Sequence, residues 1–176
     1  MEMRRFLAVF GILLISIVVI RYFYFMPRLV YGETAPTFSS KTMDDKDLNL
    51  EDFRDYYVLL DFWGSWCIPC RSENKILSLF YNRYKNVAFL KAKGIKFINI
   101  AIENDVNSAQ LAINKDNLSW SNNIIETKML ESPIPKLYGV SRIPQKYLIG
   151  PDGKIILADP DFKELDDYLA HNILKD

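Results

Sequence analysis

The feature that most constrains this chain is Trp66-Cys67-Ile68-Pro69-Cys70-Arg71, which contains both of its cysteines. With no third cysteine, any disulfide chemistry within one chain runs between Cys67 and Cys70. The run before it, Val58-Leu59-Leu60-Asp61-Phe62-Trp63, is almost continuously apolar and suits a central strand covered on both faces. From Ile68 onward the pattern turns helical, with Ile76, Leu77, Phe80, Tyr84 and Val87 at spacings of three and four. A Cys-x-x-Cys at a strand-to-helix junction is the setting in which a thiolate is stabilised and used.

The position explains the chemistry. Cys67 at the start of a helix points its sulfur at unpaired backbone N–H groups and the positive end of the helix dipole. Both favour the thiolate and lower its pKa below the free-thiol value of about 8.5. Pro69 fits the first turn, where its missing N–H costs nothing. Cys70, one turn further in, reads as the shielded thiol that resolves a mixed disulfide between Cys67 and a partner. A purely structural bridge is the plainer alternative, but so short a loop constrains little of the unfolded chain. Half of a zinc site would need two further ligands, and the only histidine, His171, lies in a C-terminal helical pattern as a solvated residue.

Two carboxylates belong near the pair. Asp61 interrupts the apolar strand six residues before Cys67; desolvated there, its pKa rises and it can exchange a proton with the buried thiol. Glu73 lies one turn beyond Cys70 and is placed to influence the cysteines. The plainer readings are a polar edge or turn cap for Asp61 and an ordinary solvated helix residue for Glu73.

Lys plus Arg and Asp plus Glu both number 22, and zero net charge removes the electrostatic case for nucleic acid. Residues 1–26 read as a membrane anchor or export signal. Arg4 and Arg5 precede an apolar run from Phe6 to Ile20, and Tyr22-Phe23-Tyr24-Phe25-Met26 extends it beyond Arg21. Read as 6–26 it spans a bilayer, with Arg21 snorkelling and Tyr22 and Tyr24 at the interface. Read as 6–20 it is the core of a cleavable signal peptide. The aromatic extension favours the anchor, and either way the rest of the chain is exported. Pro27 ends the helix, 27–36 reads as a linker, and 37–176 remains for the folded domain.

Within that domain, short extended pieces flank a polar turn at 43–47, and Leu50-Glu51-Asp52-Phe53-Arg54 makes a helical turn. Ile95–Ile102 is a second strand, so strand, helix and strand form a parallel βαβ unit. Val106, Ala109, Leu111, Ala112 and Ile113 outline a second amphipathic helix over 106–116. A short helical piece ends at Gly139. Gly150-Pro151-Asp152-Gly153 joins 146–149 to 154–157 as a hairpin, and 162–173 closes the chain as a helix. The expected fold class is α/β, a central mixed sheet flanked by helices.

Here the residues resemble a family. Asp61–Cys70 is similar to the thioredoxin active-site segment. Cys70-Arg71-Ser72-Glu73, Tyr138–Pro144 and Tyr147–Ile155 resemble the membrane-anchored TlpA/ResA-like branch. The resemblance covers about 35–174 and implies a thioredoxin-like fold with an N-terminal β-hairpin and a helix-strand insertion over about 104–132. It implies a cis Ile143-Pro144 bond packed against the dithiol, and Trp66, Ile143 and Pro144 at the surface that meets an extended substrate peptide. Glu73 matches the acidic residue that tunes the dithiol in ResA-like proteins, and Asp61 the buried aspartate of thioredoxin. The chain departs from the family where many relatives read Glu-x-Pro: Glu73-Asn74-Lys75 predicts a straighter helix.

These readings converge on an extracytoplasmic, membrane-tethered thiol-disulfide oxidoreductase. It would act as a monomer on disulfide-bearing exported proteins, supplied with electrons by a membrane thiol-disulfide transporter, with no cofactor beyond its own disulfide and no metal. The rivals are a peptide-binding module of the same fold with a structural disulfide, and, more weakly, a copper carrier, which would want Met or His ligands beside the dithiol.

Overall fold

The protein is described from a computed structural model covering residues 2–25 and 29–174. Helix α1 (Glu2–Phe25) contains the stretch Met3–Arg21, long and apolar enough to cross a membrane and exposed on every side. The side chains of Tyr22 and Tyr24 and the break at Pro27 lie outside the described residues.

Strands β1 (Ser39–Lys41) and β2 (Asp47–Asn49) form the antiparallel hairpin expected at the head of the domain. A 3-10 turn, Leu50–Phe53, follows, opened by the Asn49 side chain accepting from the Glu51 N–H. The main sheet contains β3 (Tyr57–Trp63), β4 (Ile95–Ile102), β5 (Asn123–Glu126), β6 (Gln145–Ile149) and β7 (Ile155–Ala158) in the order β5-β4-β3-β6-β7. β3, β4 and β5 run parallel, β6 runs antiparallel to β3, and β7 antiparallel to β6, so the sheet is mixed as expected.

Both faces of β3 are buried, which is why its sequence lacks alternation. On one face Tyr57, Leu59 and Trp63 pack with Leu77, Phe80 and Tyr84 of α2 (Ile68–Tyr84). Leu165 and Leu169 of α5 (Phe162–His171) and Ala109, Ala112 and Ile113 of α3 (Val106–Lys115) complete that core. On the other face Val58, Leu60 and Phe62 meet the hairpin and Ile134 and Tyr138 of α4 (Pro133–Tyr138). Gly139 ends α4 in the left-handed region at φ 62°, a conformation that costs a side-chain-bearing residue more. The expected helix-strand insertion is α3 followed by β5.

Three sequence expectations change. Ile76 is 45% exposed, because the inward stripe of α2 continues through the polar Asn74 and Ser78 instead. Val106 and Leu111 likewise face outward on α3, whose buried side is Ala109, Ala112 and Ile113. The segment read as linker is partly docked: Gly32 N–H donates to Ile155 O, Ile155 N–H to Glu33 O, and Ala35 N–H to Gly153 O. Helix α2 runs unbroken past 74–76, with no proline to interrupt it.

Candidate active site

Strand β3 delivers the chain to the cysteines from inside the core. Asp61 is 3% exposed, two residues before the fully buried Trp63. The chain then leaves the sheet through Gly64, and Cys67 becomes the N-cap of α2, its Sγ accepting from the Cys70 N–H at 3.2 Å. That contact places the sulfur at the positive end of the helix. Cys67 and Cys70 are joined as a disulfide. Cys67 retains a little exposure and Cys70 none.

The loop carrying them is held from both sides. The Trp66 indole N–H donates to Ile102 O at 2.8 Å, so the ring, half of it exposed, lies across the end of β4. Glu103, buried one residue later, accepts from both the N–H and the hydroxyl of Ser65. Arg71 forms a two-pronged pair with the buried Asp116 at the end of α3, and Asn74 donates to the same carboxylate at 2.9 Å. Burial works to raise the Asp116 carboxyl, but the hydrogen bonds from Arg71 and Asn74 outweigh it and hold it below the usual range. Ile68, 81% exposed, and Pro69 form an apolar rim beside Trp66.

The Ile143-Pro144 peptide bond is cis, and Pro144 shares a narrow cleft with Cys70, Asp61 and Glu73. Ile143 is half-buried and packs against the core. Burial pushes the Asp61 carboxyl up to about 7, with Lys146 pulling it back and Glu73 and Asp159 pushing the same way as burial. Asp61 is therefore a group that takes and releases a proton near neutrality.

Lys146 is the site residue that sequence reasoning missed. It stands opposite Asp61 in the β3–β6 register, its side chain is 5% exposed, and its Nζ lies 2.6 Å from Glu73 Oε2. Its signal was a lysine opening the otherwise apolar run Lys146-Tyr147-Leu148-Ile149, two residues beyond Pro144. Glu103 and Asp116 were also missed, since each acts through a partner distant in sequence. Buried polar residues thus cross the sheet in one row, Lys146–Asp61–Asn99–Asn123. Neither polar atom of the Asn99 side chain has a partner among the described residues.

A mixed sheet flanked by helices, with a helix-capping Cys-x-x-Cys facing a cis-proline, defines a thioredoxin-like thiol-disulfide oxidoreductase. The AhpC/TSA family model matches residues 31–158. The chain is 31% identical over 156 residues to the thiol-disulfide oxidoreductase ResA of Bacillus anthracis, covering 81% of this chain and 78% of that protein. Among solved structures, a thiol-disulfide oxidoreductase from Bacteroides fragilis superposes with a TM-score of 0.70 at 31% identity, over 79% of this chain and 98% of that one. The thioredoxin domain of a thiol-disulfide oxidoreductase from Bacteroides vulgatus gives 0.69 at 25% identity, over 81% and 97%. The chain belongs to the AhpC/TSA family of thioredoxin-like proteins, on its ResA-like branch. Among the described residues, no group of three or more His, Cys, Asp or Glu is placed to hold a metal.

Proposed function

We infer that this oxidoreductase works as a reductant of disulfides in exported proteins, apocytochrome c among the candidate substrates. The observation that carries this reading is the asymmetry of the pair: Cys67 caps the helix and keeps a sliver of exposure, 5%, while Cys70 is sealed beside Asp61. The reduced Cys67 thiolate attacks a partner disulfide, forming a mixed disulfide and releasing one partner thiolate. Cys70 gives its proton to the carboxylates, and its sulfur attacks Cys67 and frees the second partner thiolate. The dithiol loses two electrons, which the partner disulfide gains.

Trp66, Ile68 and Pro69 offer an apolar rim, and the Ile143-Pro144 segment offers backbone groups to an extended peptide. In this reading Met3–Arg21 anchors the chain in the inner membrane, with 37–176 as the catalytic domain outside the cytoplasm. The domain acts as a monomer, and a membrane thiol-disulfide transporter restores the dithiol, because the compartment oxidises it. Cys67–Cys70 itself is the redox group.

The test is capture of partners by the full-length Cys70→Ser protein. Mixed disulfides linked through Cys67 should accumulate and vanish when Cys67 is also replaced; if none forms, the exchange reading fails. The reduction potential separates the rival: a value far below about −300 mV marks a structural bridge in a peptide-binding module.

A further inference from the structure

One cation, Lys146, stands between two carboxylates beside Cys70. Lys146 is the second residue of β6, two beyond Pro144, and Glu73 follows Cys70 by three on α2, one turn along the same helix face. Asp61, Cys70, Glu73, Pro144, Lys146 and Phe162 line one cleft. The Lys146 ammonium touches Glu73 and sits 5.2 Å from the Phe162 ring centroid, while its strand position sets it opposite Asp61. Burying an ammonium this deeply is unfavourable unless it is paired. Asp61 is sealed, whereas the Glu73 side chain is 34% exposed, so the two carboxylates form an inner and an outer station around one lysine.

We propose that Lys146 is a positioning residue of the exchange reaction, holding Glu73 over Asp61 so that the two carboxylates share its charge and pass the Cys70 proton outward. The proposal rests on the oxidoreductase reading above. In the resolving step the Cys70 S–H bond breaks and its proton goes to Asp61. The Cys70 sulfur bonds to Cys67 while the Cys67–partner bond breaks, and the partner leaves as a thiolate. The proton then moves from Asp61 to Glu73 and to water. Lys146 keeps Asp61 ionised enough to accept it, and it keeps Glu73 turned inward rather than free in solvent.

The other groups facing this cluster are few. Asp159 follows β7, its N–H donates to Lys146 O at 2.7 Å, and its carboxylate is paired with Arg142. Phe162 of α5 and Trp63 of β3 contribute rings, and Asn99 of β4 a neutral amide. Removing the lysine therefore leaves Asp61 facing net negative charge, and removing Glu73 leaves Lys146 to Asp61.

The test uses the reduced full-length protein in detergent with glutathione disulfide as probe. The rate of Cys67–Cys70 disulfide formation from the Cys67–glutathione adduct is followed from pH 5 to 9. Lys146→Met should move the midpoint of that profile up by about one unit. Lys146→Arg should leave it near the wild-type position, and Glu73→Gln should move it down. A purely structural lysine would change unfolding midpoints without moving the profile in opposite directions for the two partners. Profiles of Lys146→Met and wild type that superimpose, or shifts of the same sign in Lys146→Met and Glu73→Gln, overturn the proposal. Should Lys146→Met fail to fold, the Glu73→Gln shift decides alone: a downward move supports the proposal and none overturns it. A wild-type protein that forms no glutathione adduct sinks the oxidoreductase reading and this proposal with it, whereas wild-type exchange with unmoved variant profiles sinks this proposal only.

Discussion

Asp61 and Lys146 face each other across antiparallel strands β3 and β6, both buried and both lining the cleft that holds Cys70. The sheet thus carries a carboxylate and an ammonium where an apolar pair would pack more cheaply.

A stability profile follows from Asp61. Its carboxyl ionises near the ordinary carboxylate value in the unfolded chain and near 7 in the native protein. Below about pH 4 it is protonated in both states, so no stability is lost there. As pH rises toward 7 the unfolded chain gives up the proton and the native protein does not, so stability falls; above 7 the loss is constant. Asp61→Asn should remove that loss, with a benefit on the order of 4 kcal/mol larger at pH 8 than at pH 4. Urea unfolding of the oxidised proteins at the two pH values measures it. An equal difference at both would show that Asp61 is not a group of raised pKa.

The opposite sign belongs to Asp116, whose carboxyl is held below the usual range. Its contribution is present above about pH 4 and disappears as pH falls through the lowered native value. Asp116→Ala strands the Arg71 guanidinium and the buried Asn74 amide together, and should cost about 3 kcal/mol at pH 7. Since Arg71 follows Cys70 directly, the helix start should loosen as well. Chemical denaturation at pH 7 and pH 3 should show the cost shrinking at the lower pH.

How much of this was legible in the sequence depended on whether the signal was local. The strand-to-helix junction at 58–70, the hairpin around Gly150-Pro151-Asp152-Gly153 and the helix-capping position of Cys67 rest on neighbours in the chain, and they were readable. Asp61 stood out because a carboxylate inside an apolar strand has few explanations. Lys146 did not, because a lysine at a strand's first residues normally reaches solvent, and only the β3–β6 register turns it inward. Ile76 misled in the other direction. Its spacing fits the apolar stripe, but the buried side of α2 carries Asn74 and Ser78, which donate to the Asp116 carboxylate and to Asn117 O at the end of α3. Tertiary pairing of this kind leaves no period in one sequence.

The docked segment before the hairpin gives a truncation test. Gly32–Ala35 covers the β7 edge with three backbone hydrogen bonds of 2.8–2.9 Å, and Ala35 is buried. A chain beginning at Leu29 should lose the membrane fraction and keep its unfolding midpoint. One beginning at Pro36 should lose about 2 kcal/mol, from the three hydrogen bonds and the Ala35 burial, partly offset by solvation of the freed edge. Equal midpoints for the two truncations would mean that the segment is only a tether.

Gly64 supplies the sharpest probe of the loop between strand and cysteines. A Cβ added there would lie 2.8 Å from the Trp66 Nε1 and 3.0 Å from the Ile102 carbonyl oxygen. Those two atoms are the donor and acceptor of the bond that holds the indole across β4. The carbonyl belongs to a central strand and cannot retreat, so the indole must move. Gly64→Ala should therefore cost about 1–3 kcal/mol and free the Trp66 ring. Gly64 lies outside the cleft of Asp61, Glu73 and Lys146, so the pH midpoint of disulfide exchange should stay in place while the rate with a peptide disulfide drops severalfold. Trp66→Phe in a Gly64 background should show a comparable loss of rate at a smaller cost in stability, since it removes the hydrogen bond without the clash. Tryptophan fluorescence with urea unfolding and peptide-disulfide kinetics distinguish the two effects. A Gly64→Ala protein with unchanged rate would show that the fixed orientation of Trp66 does not contribute to meeting the substrate.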